Sequence, residues 1–212
     1  MLSPSKIVCV GRNYVEHARE LGNEVPKEPL IFLKPPSSLL APGRPILLPP
    51  QSQQVEFEGE IGVVIGARLR RAEPAECRSS IRGIVAANDV TARDLQRSDS
   101  QWTRAKGFDT FCPVGEMAPA PDDLTTLEVV TRVNGSERQR GRVADMAFDI
   151  PALLAYISAV MTLEPGDLVL TGTPAGVGTL SAGDEVEVEV VAPSADSRAP
   201  VSRVRNPVIE LR

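Results

Sequence analysis

Two kinds of apolar pattern run along the chain. KIVCV at 6–10 and IGVVIG at 61–66 are uninterrupted apolar stretches of strand length, the pattern expected of strands covered on both faces. The residues just before the second stretch alternate instead, so VEFEGEIGVVIG (55–66) is predicted as one strand that enters the core from a polar end. IRGIVAAND (81–89), LEVVTRV (127–133), DLVLTG (167–172), EVEVEVV (185–191) and VSRVRN (201–206) are further strands, and Asn134-Gly135 supplies a two-residue hairpin turn after LEVVTRV. Helices are few. One is expected from Tyr14 to Leu21, between the turn Gly11-Arg12-Asn13 and the stop at Gly22. Others are expected near Pro74–Ser80, over TARDLQ (91–96) and over 150–162, the last with a proline in its first turn. Prolines recur from Pro26 to Pro50, which predicts extended loop with a single strand, LIFL, at 30–33. Strands dominate without βαβ alternation, so the expected fold class is α+β with curved mixed sheets, as one domain over 1–212.

Composition narrows the partners. Gly and Pro together make 35 of 212 residues (16 and 19), below the roughly 25–30% that signals low complexity. A net charge of -5 without a basic cluster argues against nucleic acid. No apolar run reaches the roughly 18 residues of a membrane span, and MLSPSKIVCV lacks a signal-type pattern, so neither membrane nor secretion is expected. Cys9, Cys77 and Cys112 are odd in number and widely spaced, which suits a reducing cytoplasm and excludes a paired-cysteine metal site. Of 23 basic residues only Lys6, Lys27, Lys34 and Lys106 are lysines, which singles out each of them among nineteen arginines.

Candidate chemistry begins with Glu56, Glu58 and Glu60, whose i, i+2, i+4 spacing on a strand points them to one face. EVEVEV at 185–190 has the same pattern, as a solvated edge strand would; what distinguishes 56–60 is that it runs straight into the buried IGVVIG. Asp89 ends another buried strand, as the N-cap of the next helix or as a third carboxylate beside Glu58 and Glu60. The three together would make an all-oxygen site for Mg²⁺ or Mn²⁺. The single histidine, His17, has Glu20 three residues on, either a helix-surface ion pair or a pair that activates water. Lys106, amid small and apolar residues, could stabilise developing negative charge. LTGTPAGVG (170–178) offers backbone N–H groups to an anion but lacks the GK[ST] of a phosphate loop.

GRNYxxHxxE, FLKP, ExEIGVVIG, NDVTARDLQ, AKGFDTFCP, VNG, DMxFxI and GDLVLTGTPxGVG occur in the order they have in the fumarylacetoacetate hydrolase superfamily, and the likeness runs from Lys6 to Glu189. More narrowly, the chain resembles the small single-domain members that act as acylpyruvate hydrolases and oxaloacetate decarboxylases, often labelled 2-hydroxyhepta-2,4-diene-1,7-dioate isomerases. The resemblance implies a mixed β-roll or β-sandwich with a metal at one open end, assembled as a homodimer. It also implies Glu58, Glu60 and Asp89 as ligands of Mg²⁺ or Mn²⁺, with Glu56 outside that set. His17 and Glu20 match the dyad on a lid helix (14–21) that deprotonates the attacking water. Arg12, Gln96 and Thr173 match contacts to a small-molecule 2-oxo acid, and Lys106 the lysine that faces the enolate. The implied reaction is hydrolysis of a carbon-carbon bond in an acylpyruvate or related 2,4-diketo acid, with oxaloacetate decarboxylation through the same enolate. Isomerisation or decarboxylation of an unsaturated 2-oxo dicarboxylate, and a metal-binding homologue without turnover, are the alternatives. APSADSRAPVSRVRNP (192–207) is longer and more polar than the resemblance leads one to expect.

Overall fold

The computed structural model describes residues 2–20, 22, 24, 26–192 and 200–211. Its strands are β1 (Ile7–Gly11), β2 (Leu30–Lys34), β3 (Leu39–Leu40), β4 (Ile46–Leu48), β5 (Val55–Phe57), β6 (Gly59–Ile65), β7 (Ile81–Asn88), β8 (Thr91–Ala92), β9 (Cys112–Pro113), β10 (Glu128–Val133), β11 (Ser136–Arg142), β12 (Leu168–Leu170), β13 (Gly178–Thr179), β14 (Glu185–Val191) and β15 (Pro200–Glu210). Its α-helices are α1 (Val15–Glu20), α2 (Pro74–Ser79), α3 (Arg93–Ser98), α4 (Thr103–Lys106) and α5 (Ile150–Val160). No helix among them is long and apolar enough to cross a membrane.

Two five-stranded mixed sheets, ordered β2-β1-β12-β6-β7 and β11-β10-β14-β15-β4, face each other. Val8, Ile61, Val63, Ile84 and Val169 of the first meet Val129, Val188, Val190 and Val204 of the second. The first sheet buries its other face too, packing Cys9, Val64, Val85 and Leu168 against Cys112 and Val114. That double cover is why its strands are continuously apolar, whereas β14 and β15 alternate. The α+β class and the sandwich are as expected. Helix α5 presents Ile150, Leu153, Leu154 and Ile157 to the core, and its N-cap Asp149 accepts the N–H of Ala152 at 2.8 Å. Such a cap stabilises a helix by about 1 kcal/mol. The Asn134-Gly135 turn has φ of 51° and 77°, the left-handed pair that a tight hairpin requires.

Five expectations are corrected. The strand predicted over 55–66 is broken at Glu58, because side chains replace the ladder there: Glu58 N–H donates to Asn88 Oδ1 (3.0 Å) and Gly59 N–H to Gln139 Oε1 (2.9 Å). β5 consequently joins a separate small sheet with β13 and β8. The proline-rich stretch carries three strands rather than one, since β3 pairs with β9 and β4 with the last strand, β15. Thr91–Ala92 pair with β5, so the helix over TARDLQ begins only at Arg93. β14 is central rather than an edge strand. β15 extends to Glu210, well beyond the predicted 201–206, because its far end gains β4 as a partner; 193–199 lie outside the described residues.

Candidate active site and metal centre

The break at Glu58 puts the β5–β6 junction beside the end of β7. Asp89 follows β7 directly, and its N–H donates to Glu58 O at 2.8 Å. Glu58, Glu60 and Asp89 are all buried, and one carboxylate oxygen from each lies within 4.8 Å of the others. Asp89 does not cap a helix: the N-cap of α3 is Ala92. Both Asp89 oxygens instead accept from buried ammonium groups, Oδ1 from Lys34 Nζ at 2.7 Å and Oδ2 from Lys106 Nζ at 2.6 Å. Lys106 Nζ also donates to Glu58 Oε2 at 2.8 Å, and Arg93 holds Glu58 Oε1 at 2.5 Å. Glu56 shares the Arg93 guanidinium with Glu58 but stays outside the acidic group. It bonds Arg93 Nε (2.8 Å) and Gln54 Nε2 (2.6 Å), and so braces Arg93 from outside the acidic group.

Glu60 is different. Its carboxylate accepts the N–H of Gly172 at 2.7 Å and meets no ammonium or guanidinium among the described residues. Burial, with the Asp89 and Glu58 carboxylates close by, pushes its pKa well above the ordinary carboxylate value. Burial also works against ionised Glu58, but the Lys106 and Arg93 cations outweigh it and hold that carboxyl well below the usual range. For Lys106, burial opposes the charged form, yet Asp89 and Glu58 raise its pKa to about 12, so it is an ammonium throughout the physiological range. Three hard oxygen donors, one of them lacking a cation, fit a divalent ion of the Mg²⁺ or Mn²⁺ kind.

A cavity of about 60 Å³ opens onto this group, room for a few waters where one needs roughly 10–15 Å³. Arg12, His17, Glu58, Glu60, Gln96, Lys106 and Thr173 all line it. Asp89 and Glu20, the other two predicted site residues, do not line it but are bonded to Lys106 and His17, which do. Phe32 and Trp102 also line the cavity, edge to face with ring centres 5.2 Å apart, and Lys106 Nζ lies 5.0 Å from the Phe32 ring centre. His17 is 4% exposed, with Nδ1 3.3 Å from Glu20 Oε2, so it is not a surface ion pair. The Glu20 carboxylate in turn accepts the N–H of Gly176, which pins α1 against the 172–176 loop. At the other end of α1, the buried Asn13 side chain bonds Phe148 N and O and Thr171 O, fixing the turn in which Arg12 has a φ of 59°.

The chain is similar to known proteins over nearly its whole length. The family described as fumarylacetoacetate (FAA) hydrolase C-terminal matches residues 6–209. The chain belongs to the fumarylacetoacetate hydrolase family. It is 43% identical to a mitochondrial oxaloacetate decarboxylase of Dictyostelium discoideum over 90% of this chain and 91% of that one. A mitochondrial oxaloacetate tautomerase of Caenorhabditis elegans is 44% identical over 86% and 88%. Among solved structures, 2-hydroxyhepta-2,4-diene-1,7-dioate isomerase from Mycobacterium marinum superposes with a TM-score of 0.86 and 44% identity, over 99% of this chain and 76% of that one. Within this fumarylacetoacetate hydrolase fold, sequence reasoning left Lys34 and Arg93 without a role. Both stand inside motifs that resemble the family, FLKP and NDVTARDLQ, and the scarcity of lysine was a usable signal for Lys34.

Proposed function

We propose that this chain is a divalent-metal-dependent hydrolase that cleaves the carbon-carbon bond of acylpyruvates or related 2,4-diketo acids through a pyruvate enolate, and that it also decarboxylates oxaloacetate. The observation that carries the reading is the convergence of His17, Lys106, Glu58 and Glu60 on one small cavity, with the Asp89 carboxylate grouped with those of Glu58 and Glu60. Glu58, Glu60 and Asp89 would hold Mg²⁺ or Mn²⁺, which when bound supplies Lewis-acid polarisation of a 2-oxo acid. Gln96 has its carbonyl engaged by Arg93 Nη1 at 2.5 Å, which leaves its amide N–H groups for substrate oxygens. Arg12, with no ion pair among the described residues, offers a guanidinium to a carboxylate. Thr173 lines the same cavity.

With Nδ1 turned to Glu20, His17 has Nε2 for a water proton, and the hydroxide so formed adds to the distal carbonyl. Cleavage leaves the bond pair on the pyruvate enolate, whose charge the Lys106 ammonium stabilises. The proton held by His17 then returns to the enolate carbon, so pyruvate and a carboxylic acid leave. Oxaloacetate decarboxylation reaches the same enolate by loss of carbon dioxide and needs no water. Names of the relatives favour a second reading in which decarboxylation, tautomerisation or isomerisation is the main activity. A cytoplasmic homodimer belongs to the proposal, supported by three buried free thiols and by the resemblance.

The test compares acetylpyruvate and oxaloacetate turnover, with Mg²⁺ and with chelator, in wild type and His17→Ala. The proposal expects chelator-sensitive turnover of both in wild type, and loss of acetylpyruvate cleavage with decarboxylation less affected in the variant. Equal loss of both reactions in a folded variant supports the second reading. No turnover of either acid with added metal overturns the proposal and leaves isomerisation of an unsaturated 2-oxo dicarboxylate or a non-catalytic homologue.

A further inference from the structure

Gln139 lies on β11, in the polar strand SERQRGR, yet it is 1% exposed between the exposed Arg138 and Arg140. Every group of its amide is used. Oε1 accepts the N–H of Gly59 at 2.9 Å, and Nε2 donates to Thr173 Oγ1 at 2.7 Å and to Pro174 O at 2.8 Å. The orientation is set by the partners, since a peptide N–H only donates and a peptide carbonyl only accepts. Thr173 Oγ1 closes the circuit by donating to Gly59 O at 2.9 Å.

Gly59 is the residue between Glu58 and Glu60, and both of its peptide groups are therefore held by this circuit. No side chain fits at that position, because a Cβ there would stand 1.8 Å from Thr131 Oγ1. The loop on the far side of the circuit donates Gly172 N–H to Glu60 at 2.7 Å and Gly176 N–H to Glu20. One amide from the second sheet thus ties the backbone that aims two acidic side chains to the loop that carries Thr173 and restrains α1.

We propose that Gln139 is a positioning residue which sets the relative placement of Glu58, Glu60 and Thr173, without touching substrate itself. This rests on the reading of Glu58, Glu60 and Asp89 as metal ligands. Groups that orient ligands in this way change metal affinity by roughly 10–100-fold when removed. A purely structural amide lowers stability and leaves the affinity of the folded protein alone.

The experiment titrates Mn²⁺ into metal-free protein, reading free Mn²⁺ by its paramagnetic resonance signal, and pairs each affinity with a melting temperature. Gln139→Met keeps the length and loses all three bonds; Gln139→Asn keeps the amide but is too short to span its partners. Ser158→Ala, which removes a buried hydroxyl bonded to Ala72 N and Ala155 O far from the site, controls for stability alone. The proposal expects Mn²⁺ affinity to fall about 10-fold or more in Gln139→Met and less in Gln139→Asn, with Ser158→Ala unchanged despite a lower melting temperature. If Gln139→Met does not fold, Gln139→Asn decides on the same readout. A folded Gln139 variant that binds Mn²⁺ within twofold of wild type overturns the proposal. A wild type that binds no Mn²⁺ overturns the metal reading beneath it, which is a separate outcome.

Discussion

EFEGE at 56–60 and EVEVE at 185–189 carry the same alternation of glutamates, and the fold gives them opposite surroundings. In β14, Glu187 and Glu189 face Arg205 and Arg203 in register on one side, and Arg132 lies opposite Glu187 on the other. Glu189 is bonded by both Arg132 and Arg203; burial works against its charged form, but these hydrogen bonds and charges hold its pKa below the ordinary value. Those arginines reach the sheet surface, where such pairs contribute little. Around 56–60 the cations are buried with the carboxylates and stop short of Glu60, whose pKa burial and its carboxylate neighbours raise. Alternation alone does not tell an ion-paired sheet face from a cation site; the number of cations that reach each carboxylate does.

The largest expected effect comes from removing a shared cation. Lys106→Met leaves Glu58 and Asp89 each short of a partner, and both acetylpyruvate cleavage and oxaloacetate decarboxylation should fall by about a hundredfold or more. Arg203→Met on β14 should change neither rate. Unimpaired decarboxylation in Lys106→Met would take this lysine out of the chemistry.

A smaller effect sharpens the comparison through stability, with opposite signs in the two stretches. Because the folded pKa of Glu60 is raised, metal-free protein carries a penalty above that value that fades as pH falls to the ordinary carboxylate range. Glu60→Gln should therefore raise the metal-free melting temperature at neutral pH by about 2–4 °C, what roughly 1 kcal/mol is worth at this size, with the gain shrinking on acidification. Glu189 has a lowered folded pKa, so its contribution is present above the ordinary carboxylate value and lost as pH falls through the lowered one. Glu189→Gln should cost at most about 1 kcal/mol at neutral pH. Melting curves of both variants from neutral pH down through and below the ordinary carboxylate range check the two signs.

Much of this was legible along the chain. The unbroken apolar runs located β1 and β6, Asn134-Gly135 located the hairpin, and Pro151 marked the start of α5. Seven of the nine residues assigned to the site line the cavity, and the other two, Asp89 and Glu20, are bonded to Lys106 and His17. The break at Glu58 was illegible because its causes, Asn88 and Gln139, are 30 and 80 residues away. The same holds for Arg93, an ordinary arginine until the fold carries it to Glu58, whereas Lys34 was singled out by the scarcity of lysine but not tied to its distant partner Asp89. β3 and β4 were hidden by prolines, since two- and three-residue strands depend on their partners rather than on their own pattern.

The central claim is that Glu60, unmatched by any cation among the described residues, completes a divalent metal site with Glu58 and Asp89. Mn²⁺ titrated into metal-free wild type and Glu60→Gln, with bound and free ion separated by resonance signal, tests it most directly. The account predicts one tightly bound ion per chain in wild type and loss of that binding in a folded Glu60→Gln protein. Equal binding in the two proteins, or none in wild type, would contradict it.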